Sequence, residues 1–429
     1  MQSAMPVPPV PETLEQTGLS QTFFEQHLLR LLYSRGELIG REIARSIGVK
    51  FSIIEPVIDG FKRAQLIQLK RSVGMGNVTG YFSLTELGRD HARQYMEMHQ
   101  YVGPAPVPLE DYAGFARRQR PVKGWLTREL LQSAYKRMVL SDDILDQIGP
   151  AIASGSSFLI YGQPGNGKTY LAEAMENLNQ SYIYVPYAIE CQGAIVQIYD
   201  KLFHHVIEDE HQSAFTVEPT YDKRWFKCRR PFIVSGGELT LSMLDLSFNS
   251  VSKIYDAPFQ LKANNGIYLI DDFGRQRATP AEVLNRWIVP MERQVDYLNL
   301  RTGGKMTVPF ETFLVFSTNL RPDQLGDEAF LRRIQYKMQV KNPSEDEFVS
   351  IFRRFCETSQ LDCPLSFVRT FVSKYYLATG KRMRLCHPRD VLSHALALIY
   401  FEKLPVVLTE DLLDRAFRSC FVELGDMEA

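Results

Sequence analysis

Long apolar runs are missing from this 429-residue chain: none is long enough to span a bilayer and none reads as a signal peptide. Charge of one sign is missing too, since 49 Lys and Arg stand against 50 Asp and Glu, a formal net charge of -1. That balance offers no overall electrostatic footprint for a polyanion. Cysteine is sparse and scattered, at 191, 228, 356, 363, 386 and 420, with no C-x-x-C pair. A disulfide framework and a four-cysteine zinc site are therefore not expected, and Cys386 beside His387 supplies only two adjacent ligands. With 45% hydrophobic residues, the composition predicts a soluble cytoplasmic protein of two or three domains, without membrane insertion.

What is present is a complete phosphate-binding loop. Gly162, Gln163, Pro164, Gly165, Asn166, Gly167, Lys168 and Thr169 spell G-x-x-x-x-G-K-T. The apolar run Phe158 to Tyr161 precedes it, and the helix-favouring stretch Leu171 to Met175 follows. Strand, loop and helix in this order fit the motif's context. The glycines let successive amide N–H groups turn inward toward an anion, and Lys168 adds a point charge for the β and γ phosphates. Thr169 can place a hydroxyl on Mg²⁺, and with Tyr170 it opens a helix whose positive dipole end faces the same phosphates. A nucleoside triphosphate with Mg²⁺ is the expected ligand.

A second acidic element follows. Gly266 to Ile270 is an apolar run ending in Asp271 and Asp272, the pattern of a buried central strand with carboxylates at its carboxyl end. Asp271 is placed to hold Mg²⁺, Asp272 to orient or deprotonate an attacking water. Asp272, Phe273 and Gly274 also spell the D-F-G of protein kinases, but no H-R-D-L-x-x-x-N loop accompanies it, so the triplet is coincidental. Phe313 to Phe316 make another apolar run, ending in Ser317, Thr318 and Asn319. Beyond it come Asp327, Glu328, Ala329, Phe330, Leu331, Arg332, Arg333 and Ile334, a strand-like Tyr336 to Val340, and His387, Pro388, Arg389 and Asp390.

In this order, the motifs from about residue 130 to 429 resemble the AAA+ ATPases. The resemblance implies an α/β P-loop core with a parallel sheet over 130–342 and a small α-helical lid over 343–429. It makes Asn319 the first sensor, which positions the lytic water, and Arg333 the finger that reaches a neighbour's γ phosphate, with Arg332 second in line. Arg389 becomes the second sensor, in the lid. It further implies a homo-oligomer, a ring, that hydrolyses ATP to remodel a protein client, as a molecular chaperone does. The family usually ends its acidic strand in Asp-Glu. Here Asp272 stands at the second place, and its shorter side chain predicts slow hydrolysis.

Between the two nucleotide motifs the chain is long. Ser181 to Ile189 reads as a strand, Gln192 to Val206 as a helix, Ile207 to Pro219 as a loop, and Trp225 to Arg230 as part of an insertion. Arg224, Arg229 and Arg230 beside Trp225 and Phe226 fit either a pore that grips a polymer or a surface loop with its aromatics in the core. Gly236 to Leu246 and Pro258 to Lys262 loosely resemble the branch of the family with an insert in its second helix, although the G-A-F-T-G-A loop of its promoter activators is absent.

The first hundred residues differ in kind. After a Pro-rich, disordered start over 1–18, helices are expected at Phe23 to Leu32, Arg41 to Ile47 and Ser52 to Leu66. Short strands follow at Ile67 to Lys70 and Tyr81 to Leu84, and Thr85 caps another helix. Over 19–100 this resembles an α+β winged helix-turn-helix. DNA is one partner such a domain suggests, yet residues 1–100 carry 11 Lys and Arg against 10 Asp and Glu, and Glu55 and Asp59 lie on the helix that would enter a groove. A protein-docking role is the other. Residues 101–129, with three prolines in Val102 to Pro108, read as a stiff linker that lets this domain swing.

Overall fold

The computed structural model describes residues 5–178, 181–207, 220–326 and 331–421. Ser20 accepts a hydrogen bond from the Phe23 amide and so starts helix α1 (Gln21–Arg35). Strand β1 (Leu38–Ile39), helices α2 (Gly40–Ile47) and α3 (Phe51–Arg63), strands β2 (Ile67–Ser72) and β3 (Gly80–Leu84) and helix α4 (Glu86–Met98) complete the N-terminal unit. Its strands form an antiparallel sheet in the order β1-β3-β2. Phe24, Leu28, Leu31, Ile43, Ile54 and Phe82 fill its core.

The segment after α4 overturns the linker expectation. Residues 101 to 107 are largely buried, β4 (Val107–Pro108) pairs in parallel with a later strand, and α5 (Leu109–Arg118) buries Tyr112, Phe115 and Ala116. The prolines suit an extended path, but Val107 and the α5 aromatics bury too much apolar surface to leave it free. The start of the chain is likewise packed: the Asp222 amide donates to Pro8 O at 3.1 Å, Met5 lies against the neighbouring core, and Glu15–Thr17 make a 3₁₀ turn. Residues 1–4 lie outside the described residues.

Helices α6 (Arg128–Ala134) and α7 (Asp142–Ser154) lead into the central sheet through β5 (Ser157–Gly162), which is followed by α8 (Lys168–Glu173). There the chain leaves the sheet. Strands β6 (Tyr182–Pro186), β7 (Ala188–Cys191), β8 (Ala194–Gln197) and β9 (Trp225–Arg229) lie outside it: β6 and β9 form an antiparallel sheet of their own, and β7 and β8 pair antiparallel in an outer layer. The expected helix over 192–206 is thus replaced by a hairpin. Gln192 and Gly193, at φ +53° and +81°, make its turn, and Ile195 and Val196 bury on either side of the pleat. Most of the expected loop at 207–219 lies outside the described residues.

Strand β10 (Phe232–Ser235) re-enters the central sheet. Two short strands, β11 (Ser247–Asn249) and β12 (Ile254–Asp256), extend the outer layer, whose order is β11-β12-β8-β7-β4. After α9 (Phe259–Lys262), strand β13 (Ile267–Ile270) joins the centre, followed by α10 (Pro280–Arg293) with its Thr279 and Glu282 capping box. A hairpin of β14 (Val295–Asn299) and β15 (Lys305–Pro309) packs Leu298, Met306 and Val308 with Trp225 and Phe115. Strands β16 (Phe313–Thr318) and β17 (Tyr336–Val340) finish the central sheet.

That sheet runs β10-β13-β16-β5-β17, every pair parallel. The fold class is therefore α/β with a parallel sheet. Alternate residues serve opposite faces: Phe158, Ile160, Leu269 and Val315 meet Leu131, Ile148 and Ile152, whereas Leu159, Tyr268, Ile270, Leu314 and Phe316 meet Trp287 of α10. Helices α11 (Glu345–Thr358), α12 (Leu365–Val372), α13 (His387–Glu402) and α14 (Glu410–Cys420) gather around Phe348, Phe352, Phe371, Tyr376 and Phe417 as a separate helical core. Among the described residues no helix is long and apolar enough to cross a membrane.

Candidate nucleotide-binding site

Burial on both faces fixes β5, β13 and β16 side by side, and their carboxyl ends deliver the loop, the acidic pair and the amide to one place. Gly162, at φ +151°, runs so close to β17 that a Cβ there would lie 2.3 Å from Val340 O. Gly165, at φ +81°, would put one 2.8 Å from Cys386 Sγ. Gly167 takes the left-handed position just before α8. Only glycine permits this combination of turn and close approach, which is what a backbone cradle for phosphate requires.

Lys168 is 6% exposed, and its Nζ donates to Gln163 O at 3.0 Å and to Asn319 Oδ1 at 2.7 Å. Asn319 Nδ2 in turn donates to Asp272 Oδ1 at 2.8 Å. The amide orientation follows from the chemistry, because an ammonium can only donate and a carboxylate only accept. Burial lowers the Lys168 pKa, opposed by the charges of Asp272 and Asp271. Thr169 Oγ1 donates to Asp271 Oδ1 at 2.9 Å, and Gln276 braces the turn by donating to Asp271 O at 2.8 Å.

Asp272 sits at φ +49°, a left-handed conformation that Asp adopts more readily than longer side chains. It is exposed, and the Phe273 amide just after it is tied to Ser317 O at 2.7 Å. The donor set suits a hydrated divalent cation: a hydroxyl and a carboxylate already in contact, with a second carboxylate one residue on. The cradle and Lys168 suit a polyphosphate. Pro164 is exposed on the loop, Asn166 is buried within it, and Tyr170 is half exposed on the first turn of α8.

The remaining arginines are distributed differently. Arg389, 67% exposed, is bound to its neighbour Asp390 at 3.0 Å and does not meet the loop. Proline at the second position of α13 starts the helix there, so the loop is met by the residues before it. Cys386 N donates to Gly165 O at 2.9 Å, Leu385 N to Asn166 Oδ1 at 3.3 Å, and the Arg384 side chain passes 3.3 Å from where a Gly165 Cβ would stand. Arg333 Nε donates to Glu292 Oε1 of α10 at 2.7 Å, and Arg332 is exposed. Asp327 to Phe330 lie outside the described residues.

Sequence reasoning missed a cavity of about 290 Å³ beside Gln163 and Asn319, walled by Arg321, Lys341, Asn342 and Arg382. Its signal was the basic residues just after Val340 and just before His387. The pore-lining alternative fails for three of its five residues, while Arg229 is exposed and Phe226 half-buried. Arg224 is 3% exposed in a buried pair with Asp222 at 2.8 Å, Arg230 donates to Asn265 O and Gln119 O, and Trp225 is 4% exposed.

Residues 344–419 match a family described as a domain of unknown function (DUF8689). No curated protein matches the chain. Among solved structures, a RuvB mutant from Thermotoga maritima is 11% identical with a TM-score of 0.39, covering 68% of this chain and 73% of its own. NtrX from Brucella abortus is 14% identical with a TM-score of 0.39, covering 71% of this chain and 65% of its own. Likenesses at these values carry no argument about what this chain does.

Proposed function

We propose that this protein is an ATPase of the AAA+ type. It binds ATP with Mg²⁺ at residues 162–169 and hydrolyses it, and it works as a ring that remodels a protein client. The observation that carries the reading is the convergence of Lys168, Asn319 and Asp272, and of Thr169 with Asp271, at the carboxyl ends of three adjacent parallel strands. Loop amides and Lys168 hold the phosphates, Asn319 and Asp272 orient the attacking water, and Asp272 accepts its proton. Thr169 and Asp271 would hold Mg²⁺, which neutralises charge on the phosphate oxygens. Arg384 and Arg382 are better placed than Arg389 to act from the lid. Arg333 is paired with Glu292 within the chain, and as a finger it would exchange that carboxylate for the neighbour's nucleotide.

The N-terminal unit is read as a winged helix. Two contacts favour protein over DNA as its partner. Asn77, on the β2–β3 connection, donates to Asp59 Oδ1 at 3.0 Å and Glu55 Oε1 at 3.3 Å and accepts from Lys62, so the connection folds onto α3 and occupies charged groups of both signs there. A Cβ on Gly48, in the turn between α2 and α3, would lie 2.9 Å from Lys223 O, which seats that turn on the body of the molecule.

The test is steady-state ATP turnover against protein concentration for the native protein, Lys168→Ala and Arg333→Ala, with and without duplex DNA. Turnover that rises with concentration, is lost in both variants and ignores DNA supports the reading. ATP binding with no turnover above Lys168→Ala would replace it with a nucleotide-gated switch, and salt-sensitive DNA stimulation would move the client to nucleic acid.

A further inference from the structure

Cys356 lies in the last turn of α11, beside a reversal that brings the chain back to it. Gln360, at φ +53°, takes the left-handed position just after the helix. Gln360 N donates to Glu357 O at 3.2 Å and Leu361 N to Cys356 O at 2.9 Å, the paired bonds of a Schellman motif. The returning chain is then held in place: Asp362 bridges in parallel to Val407, and Leu408 N donates to Asp362 O at 3.3 Å. Cys363 therefore comes back against α11, and its thiol and that of Cys356 are hydrogen-bonded to one another.

The two sulfurs are unlike. Cys356 is 3% exposed, in the helical core with Phe352 and Leu361, whereas Cys363 is half-buried at the edge of that core. The bond between them, donated by Cys356 and accepted by Cys363, raises the pKa of the first and lowers that of the second. The S–H of Cys363 itself reaches Pro364 O at 3.9 Å. Burial pushes the thiols of Cys191, Cys228, Cys386 and Cys420 up, so Cys363 is the one of the six that is shifted down. An accessible sulfur beside a buried one is the arrangement of an attacking and a resolving thiol.

We propose that Cys356 and Cys363 are a modification site, a dithiol that closes to a reversible disulfide with low-molecular-weight disulfides of the glutathione class. The Cys363 thiolate attacks one sulfur of the reagent and expels its first thiolate, leaving a mixed disulfide. Cys356 then gives up its proton, attacks Cys363 Sγ and expels the second thiolate. The two cysteine protons end on the two departing thiolates, and two electrons pass from the protein to the reagent. The crosslink ties α11 to the chain that bridges Val407. Two residues before Cys356, Arg354 Nη1 donates to Met138 O at 3.1 Å, so the bond forms on a helix that also touches the segment between α6 and α7.

The test incubates the full chain with glutathione disulfide and reduced glutathione at a series of ratios, folded and in urea, then alkylates it and maps the peptides by mass spectrometry. A crosslink between Cys356 and Cys363, lighter by two hydrogens and reversed by dithiothreitol, is the expected result. Its equilibrium constant should be roughly 10-fold or more higher in the folded chain than in urea, where closeness in sequence acts alone. Cys356→Ser should stop at a glutathione adduct on Cys363, and Cys363→Ser should take up no adduct at Cys356. If Cys356→Ser does not fold, Cys356→Ala keeps that position apolar and replaces it, and the comparison with urea decides in either case. A folded chain that keeps both thiols, stops at the adduct or gains nothing over the unfolded chain overturns the site.

Discussion

The Lys168 ammonium and the Asp272 carboxylate are joined through one amide, Asn319, which accepts from the first at 2.7 Å and donates to the second at 2.8 Å. The ammonium of the glycine-rich loop and the carboxylate after β13 are thereby held in one fixed relation. Asn319→Ala should lower kcat roughly 10²-fold or more while ATP affinity stays within a few-fold, because the lost contact orients the reacting water. Single-turnover hydrolysis alongside fluorescent-nucleotide binding separates the two quantities. An equal loss in both would place Asn319 in ground-state binding instead.

The backbone at Asp272 makes a prediction that side-chain length alone does not. Asn shares the left-handed tolerance of Asp, so Asp272→Asn should remove turnover without shifting the melting temperature. Asp272→Glu should cost about 1 kcal/mol of stability from the φ of +49°. Calorimetry of the two variants checks the contrast, and equal melting points would refute it.

Gly165→Ala confronts two penalties at once, φ of +81° and a Cβ 2.8 Å from Cys386 Sγ. A loss of about 1–3 kcal/mol in nucleotide affinity is expected, as the loop and the residues before α13 separate to admit the methyl. Adding Cys386→Ala should recover part of it, and the double-mutant cycle measures the share due to the clash.

Asp222 and Arg224 form an ion pair with both side chains under 5% exposed, and Arg224 also donates to Thr17 O at 2.8 Å. Asp222→Ala should destabilise the fold by about 3–5 kcal/mol, since it strands a buried guanidinium. Urea unfolding is the measurement, and a change below about 1 kcal/mol would show the site to be hydrated.

Acid should weaken the fold before the carboxylates titrate. Burial lowers His27 and His204 from 6.5 to about 4. The unfolded chain therefore takes up protons first, and stability present above pH 6.5 is lost as pH falls toward 4. His27→Gln, which can still donate to Gly103 O, should flatten that limb by up to one proton's slope, about 1.4 kcal/mol per pH unit. Urea midpoints collected from pH 7 to 4.5 provide the comparison.

The sequence displayed strands whose both faces are buried, such as Phe158 to Tyr161 and Phe313 to Phe316, because uninterrupted apolar runs survive translation into a parallel sheet. Phe232–Ser235 was harder: it is only four residues long, is separated from Trp225–Arg229 by two residues, and carried no expectation of its own. Helical spacing misled at 192–206, where Ile195, Val196, Ile198 and Tyr199 are buried by the sheet and by Tyr187 and not by a helix face. The loop, the acidic pair and Asn319 were legible as local words at strand ends. Arg384 and Arg382 were not, since their nearness to the loop depends on how the helical unit folds back, and Arg389 lay in the more familiar H-P-R-D setting. Prolines at 104, 106 and 108 suggested freedom, but what anchors them is the α5 aromatics.

Arg230 Nε donates to Ser181 Oγ at 2.7 Å, so the two ends of the outer excursion lie together, although β13 and β16 stand between β5 and β10 in the central sheet. A long detour costs little closure entropy when its own strands bring its ends together. The β6–β9 pair does this in register, from Tyr182 opposite Arg229 to Pro186 opposite Trp225. Such a detour behaves as a domain grafted onto a turn. A change of length within it leaves the spacing of the neighbouring parallel strands and the shape of the 162–169 loop untouched.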